Sequence, residues 1–305
     1  MSVFAPSPQL TVTVEDLDGR PDVHLHAGGQ GFWQARMITA LGTPVTLCCA
    51  LGGETGRVLR HLLAEQDVEV RAREVNARNG AYVHDRRDGD RSQVVEQRPD
   101  PLTRHELDDL YELAVISGMD AGVAVLSGSV GESCDEVVPV SVYERLTTDL
   151  VRNGCRVVVD LAGGRLSAAV AGTPTVVKVS HEELIEDGRA DDDSVRALTK
   201  AARAIVDDGV ELVVVSRAAE PTLAVRGDAE LLVAGPSLEP VDTRGGGDSM
   251  TAGIAAAFAQ GKDFEDALRL GAAAGALNVT RHGLGSGSGD AVRALTERVE
   301  ITSAG

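Results

Sequence analysis

The sequence predicts an α/β fold: a three-layer α/β/α arrangement around a mostly parallel central sheet, with a small β lid on one edge. Three observations carry this. From about residue 105, short apolar segments alternate with amphipathic helical ones, the pattern of a parallel sheet covered on both faces. Before that point, residues 9–26 and 68–98 read as strands with no covering helices, which predicts the lid. Finally, an apolar run at 231–234 leads through three glycines into a small-residue helix, as phosphate-binding turns do.

Taken in order, residues 9–16 (QLTVTVED) alternate apolar and polar, and 22–26 supply a second short strand. Gly28, Gly29 and Gly31 make a tight turn into a helix over 33–41, closed by Gly42. A buried strand at 44–51 precedes a helix over 56–66. Strands follow at 68–75 and 80–84, and the charge-rich segment 85–100 turns back as an exposed hairpin. The alternating region then pairs a helix at 105–117 with VAVLSGS and a helix at 138–153 with RVVVDLAG. SAAVA precedes TPTVVKVS, and a helix at 194–208 precedes ELVVVS. A hairpin-like pair, TLAVR and AELLVAG, leads to the glycine turn and its helix. Asp263 caps a further helix, and LGSGSGD reads as a flexible linker into a short closing helix. There is no internal repeat, so 1–305 reads as a single unit.

Composition narrows the function. A formal charge of −18 disfavours nucleic acid and anionic membrane as partners. No run approaches the roughly 18 apolar residues of a membrane span, and MSVFAPSPQL lacks the basic start and apolar stretch of a signal peptide. The expected location is therefore cytoplasmic. The cysteines, Cys48, Cys49, Cys134 and Cys155, lie in or near apolar segments without metal-ligand spacing, which fits reduced, buried thiols.

The chemistry concentrates in VDTRGGGDSMTAGIAAAFAQG, residues 241–261. Gly245, Gly246 and Gly247 carry no Cβ, so their N–H groups can converge on an oxygen cluster at the positive end of the following helix. Asp248 sits where the glycines meet the helix. A carboxylate beside an anion hole is what phosphoryl transfer to a hydroxyl requires: the carboxylate takes the alcohol proton while the N–H groups neutralise developing charge. A glycine turn with a capping Asp is the plainer alternative. Gly28, Gly29, Gly128, Ser129, Asp160, Lys178, Glu183, Ser216 and Asp248 all follow apolar strands or close turns, and would line one crevice beyond the strand ends.

The string D-T-x-G-x-G-D with its small-residue helix resembles the C-terminal signature of the ribokinase-like carbohydrate kinases. The continuation D-S-M-x-A-G is most similar to the phosphofructokinase B branch, on the side of its 1-phosphofructokinase and tagatose-6-phosphate kinase members. The resemblance extends to GGQGFWQARMITALG, VAVLSGSV, VVVDLAGGRLSAAV, VVKVSHEEL and LGAAAGALNVTRHG. It implies a ribokinase-like fold and transfer of the γ-phosphoryl group of ATP, with Mg2+, to a hydroxyl of a sugar or sugar phosphate. It implies further that Asp248 is the base, that Gly245, Gly246 and Gly247 form the anion hole, and that Glu183 orders magnesium through water. Lys178, Ser180, Ser216, Arg217, Thr243 and Asn278 would face the nucleotide, and Thr11, Gly28, Gly29, Gln30 and Trp33 the acceptor. A homodimer through the lids is the implied assembly.

The departures fall mainly on the acceptor side. The family's early aspartate is replaced by Leu10 and Thr11, its asparagine by Trp33, and a lysine found in many relatives by Gln30. On the nucleotide side, K-P-N has become Lys178, Val179, Ser180, and the glycine-bearing loop has become Ser216, Arg217, Ala218, Ala219, Glu220, Pro221. Trp33 either stacks on an acceptor or packs the first helix, and Glu183 either serves the metal or simply starts a helix. A binding protein that kept the fold without useful catalysis is the alternative from another class. A nicotinamide-dependent oxidoreductase fits poorly, because no G-x-G-x-x-G opens a helix after the first strand.

Overall fold

The computed structural model describes residues 1–89, 91–128 and 137–304. Ser129 and Cys134, named above, lie outside these residues. The main sheet has ten strands among the described residues. Seven run parallel: β1 (Ser2–Phe4), β4 (Thr46–Gly52), β5 (Glu69–Val75), β8 (Val123–Ser127), β9 (Arg156–Asp160), β10 (Val176–Ser180) and β11 (Leu212–Arg217). An antiparallel edge is added by β12 (Glu220–Arg226), β13 (Ala229–Ala234) and β14 (Glu300–Ser303). The order is β14-β13-β12-β11-β10-β9-β8-β1-β4-β5, so the chain starts in β1 and builds outward in both directions. That reversal opens a crevice beyond the carboxyl ends of the strands.

Two apolar layers hold the sheet. One face is covered by α1 (Gln30–Ala40), α2 (Gly53–Ala64), α8 (Gly246–Ala259), α9 (Phe264–Asn278) and α10 (Gly289–Thr296), with Met37, Leu47, Val125 and Ala255 buried beneath them. The other carries α3 (Arg104–Ala121), α4 (Val140–Arg152), α5 (Gly163–Ala171), α6 (His181–Glu186) and α7 (Val195–Asp207), over Leu126, Val159, Val177 and Leu146. Strand residues alternate between the two layers, so runs such as VVV in β9 are apolar on both faces. α8 and α9 are built from Ala and Gly because they pack closely: a Cβ on Gly253 would come 2.7 Å from the Gly271 Cα.

The lid is a separate four-stranded sheet in the order β3-β2-β6-β7, from β2 (Gln9–Leu17), β3 (Arg20–Gly28), β6 (Ala81–Asp85) and β7 (Ser92–Gln97). Residues 68–75, assigned by sequence to the lid, instead form β5 and pair in parallel with β4 at the edge of the main sheet. Alternating half-buried residues suit either location, and only the register with β4 distinguishes them. The LGSGSGD segment is no free linker. A Cβ on Gly285 would meet the Trp33 carbonyl oxygen at 2.3 Å, and one on Gly289 the Ala40 carbonyl oxygen at 2.0 Å, so this backbone lies directly against α1. Cys48, Cys49 and Cys155 are free and buried, and among the described residues no helix is long and apolar enough to cross a membrane.

Candidate active site

Gly245 caps α8 in a left-handed conformation (φ 70°), which glycine adopts without the cost a Cβ would impose. The turn therefore presents the first N–H groups of α8, unpaired within the helix, to the crevice. A Cβ on Gly247 would stand 2.6 Å from Lys178 Nζ, so loop backbone and ammonium close on the same space. A side chain at position 247 would have to displace the Lys178 ammonium.

Asp248 lies in the first turn of α8 and is half-buried. Burial, and next the carboxylate of Asp160, push its carboxyl up to about 7, against the opposing pull of Lys178 and a hydrogen bond from Gln30. Gln30 in turn accepts the Gly128 N–H at 3.1 Å. One side chain from α1 thus connects Asp248 to the end of β8.

Behind Asp248 is a buried polar network whose centre, Asp160, was read from sequence as a crevice residue or merely a strand end. β9 and β10 place Asp160 beside Lys178. Asp160 accepts from Lys178 Nζ at 3.3 Å, Gln34 Nε2 at 2.9 Å and Thr251 Oγ1 at 2.7 Å. Burial pushes the Asp160 carboxyl up, and Lys178 and Thr251 pull it back. With three donors on two oxygens we assign the anion. Burial alone would lower the Lys178 ammonium, but Asp160, Glu183 and Asp248 raise it above its ordinary value. One ammonium among three carboxylates leaves a negative surplus, which adds to burial in raising the Asp248 carboxyl.

The other expected residues divide. Ser180 and Ser216 are paired at the ends of β10 and β11. Ser180 and Glu183 form a capping box on α6: the Glu183 side chain accepts the Ser180 N–H at 2.7 Å, and Ser180 Oγ the Glu183 N–H at 3.2 Å. One Glu183 oxygen therefore serves the helix. Arg217 donates to the Pro221 carbonyl at 3.2 Å, and Thr243 is exposed. The glycine-free loop keeps a glycine geometry, since Ala218 sits at φ 50°. Asn278 is fully buried, donating to the Arg244 carbonyl at 2.8 Å and accepting the Gly285 N–H at 2.9 Å. Its amide holds backbone on both sides of the glycine turn. Among the described residues no cluster of His, Cys, Asp and Glu can hold a metal ion unaided.

Thr11 and Trp33 line a cavity of about 520 Å³ between the lid and Gly245. Gly28 and Gly29 are buried at its edge, where a Cβ on Gly28 would reach Thr11 Oγ1 at 2.8 Å. Sequence reasoning missed Gln9, Tyr82, His84, Arg91 and Arg244, which share this cavity. Gln9, from the same β2 segment as Thr11, spends its amide on the Tyr82 hydroxyl at 3.4 Å. Two larger surface concavities, of about 770 and 630 Å³, are walled by Leu238, Leu295 and Arg298 and hold none of these groups. Convergent polar groups, rather than size, mark the smaller cavity as the candidate ligand pocket.

This site, on this sheet, is that of a phosphotransferase, and comparison with known proteins agrees. The pfkB family carbohydrate kinase profile matches residues 6–290. The chain is 31% identical over 263 residues to ATP-dependent 6-phosphofructokinase isozyme 2 of Escherichia coli, covering 84% of this chain and 82% of that protein. It is 27% identical to 1-phosphofructokinase of Bacillus subtilis over 278 residues, covering 91% and 88%. Phosphofructokinase-2 from Escherichia coli, crystallised in complex with potassium, superposes with a TM-score of 0.86 at 26% identity over 98% of each chain. Arabidopsis thaliana ribokinase shares the fold, with a TM-score of 0.75 at 21% identity over 97% and 98%. The chain belongs to the pfkB family of carbohydrate kinases. It is a phosphofructokinase-like enzyme that transfers the γ-phosphoryl group of ATP to a hydroxyl of a sugar or sugar phosphate.

Proposed function

We propose that the acceptor is a sugar phosphate and that Asp248 is the general base. The observation that carries this is the setting of Asp248: first turn of α8, bonded by Gln30, beside Lys178, with its carboxyl at about 7. A base so tuned can remove a hydroxyl proton near neutral pH and return it readily. The N–H groups of Gly245, Gly246 and Gly247 and the Lys178 ammonium face the transferring phosphoryl group and neutralise charge that grows on it. Lys178, Ser180, Ser216, Arg217 and Thr243 form the nucleotide side, at the ends of β10 and β11 and before the glycine turn. Glu183 has one oxygen left with which it would hold magnesium through water, and the ion would supply neutralisation of phosphate charge.

The lid supports a dimer. Leu17, Val23, Leu25, Val94 and Val95 are 47–62% exposed on its strands, and such a patch is normally covered. The sugar-phosphate reading is tested by an ATP phosphoryl-transfer screen over sugars, sugar phosphates and nucleosides. It expects turnover with at least one phosphorylated sugar, and faster turnover with the neutral parent sugars would overturn it.

A further inference from the structure

Arg91 and Arg244 enter the acceptor cavity from opposite sides, the lid and the glycine turn. Arg244 pairs with Asp242 through Nε at 2.9 Å and Nη2 at 2.6 Å, and its Nη1 has no hydrogen bond among the described residues. Arg91 is half-buried, and its one hydrogen-bond partner among the described residues is the His84 Nε2 ring nitrogen. No carboxylate lies within ion-pair distance of it among those residues. Burial first, then Arg244 and Arg86, lower the Arg91 guanidinium to about 10. Asp242, already paired with Arg244 and Arg86, and Tyr82 pull it back only in part, and a desolvated cation with no carboxylate of its own is costly to keep unless something binds it.

His84 adds a third donor. Its Nε2 accepts from Arg91, so Nδ1 carries the proton, and Nδ1 is buried with no partner. Burial, Arg91, Arg244 and Arg86 push His84 down to about 4, which keeps this neutral form throughout the neutral range. Glu96, an acid that also lines the cavity, is exposed on β7. The Trp33 ring and Leu284 also line the cavity, Gln9 is already bonded to Tyr82, and Gln93 donates to Glu96. The two guanidinium groups give the cavity donors suited to an anion.

We propose that Arg91, Arg244 and His84 bind the phosphate of the acceptor, with Trp33 against an apolar face of its sugar, and that these residues set acceptor specificity. This rests on the sugar-phosphate reading above and deepens it by naming the residues and the kind of sugar: one with an apolar face, such as a deoxygenated or ring-bearing phosphate ester.

Calorimetry without nucleotide tests this, using fructose 6-phosphate, fructose 1-phosphate, 2-deoxyribose 5-phosphate, inorganic phosphate and fructose on wild type, Arg91→Met, Arg244→Met and Arg244→Lys. At least one ester should bind saturably, and fructose much more weakly. Each Met variant should lose about tenfold or more, as for hydrogen bonds to a charged group, and Arg244→Lys should retain part of the affinity. ATP affinity of Arg91→Met should stay within about twofold, since that residue lies on the lid; in turnover its loss should fall on the acceptor KM rather than kcat. Equal ester affinity in wild type and Arg91→Met overturns the proposal, as does fructose binding as tightly as its esters, or no response to any phosphate. If Arg244→Met unfolds, Arg91→Met decides. Arginine-dependent ester binding with no transfer to any sugar phosphate would refute the acceptor reading while upholding this site; transfer to an ester untouched by Arg91→Met would do the reverse.

Discussion

Replacing Asp248 by Asn should make the enzyme slower and the fold more stable, and the two effects together test the site. The carboxyl stands at about 7 against an ordinary value of 3.8. The folded state therefore holds its proton to higher pH than the unfolded state does. As pH rises from about 4 to about 7 the unfolded chain ionises first, so stability is lost across that window and the loss is complete above it. At about 1.4 kcal/mol per decade of proton affinity the ceiling is roughly 4 kcal/mol. Relaxation and water entry reduce it to about 2 kcal/mol, or roughly 4 °C in Tm for a chain of this size. Asn cannot ionise and keeps an oxygen for Gln30. The variant should melt about 4 °C above wild type at pH 8 and gain about half as much at pH 5.5. Its kcat should fall by at least about 100-fold with ATP affinity nearly unchanged, and wild-type kcat/KM should rise with pH to a plateau, with an apparent midpoint near 7. Calorimetric melting at both pH values and steady-state kinetics check this. A gain equal at the two pH values, or none, refutes the environment assigned to Asp248; near wild-type turnover refutes its role.

Gly247→Ala should push Lys178 Nζ out of the phosphate space, weakening ATP affinity about tenfold by calorimetry with the melting point little changed. Ala218→Gly removes a left-handed alanine at φ 50° and should stabilise the fold by about 1 kcal/mol, seen as a rise of about 2 °C in Tm. Light scattering should return a dimer, and Val23→Glu with Leu25→Glu on the lid should return a monomer of about the 31.8 kDa chain mass. Trp33 is the one tryptophan of the chain, so a bound acceptor should change the intrinsic emission saturably, and ATP alone should change it less.

The glycine turn and Asp248 were legible in the sequence because contiguous backbone carries their geometry, whereas Lys178 was singled out by the family resemblance of VVKVSHEEL. The parallel sheet was legible for a similar reason, since apolar strands and amphipathic helices follow one another in order. Asp160 could be placed at a strand end, but its partners could not: Gln34 and Thr251 stand 126 and 91 residues away, and only strand register brings them to one carboxylate. Arg91 and Arg244 were hidden in the same way, one in a charge-rich hairpin and the other inside the signature itself. β14 was missed because four exposed or half-buried residues have no periodicity to read. The backbone partners of Asn278 were not legible either, because its position on the helix says nothing of where its amide bonds.

That amide has a consequence for how the two substrates affect each other. Asn278 ties the carbonyl of Arg244, where the glycine turn begins, to the N–H of Gly285, whose backbone lies against Trp33. The two half-sites are therefore not mechanically independent, because a shift of the glycine turn around a nucleotide is passed through one planar group to the wall of the acceptor cavity. Thermodynamic reciprocity then requires that whatever factor the nucleotide applies to acceptor affinity, the acceptor applies to nucleotide affinity. In Asn278→Ala that mutual factor should shrink toward one, leaving two substrates that bind as strangers on the same protein.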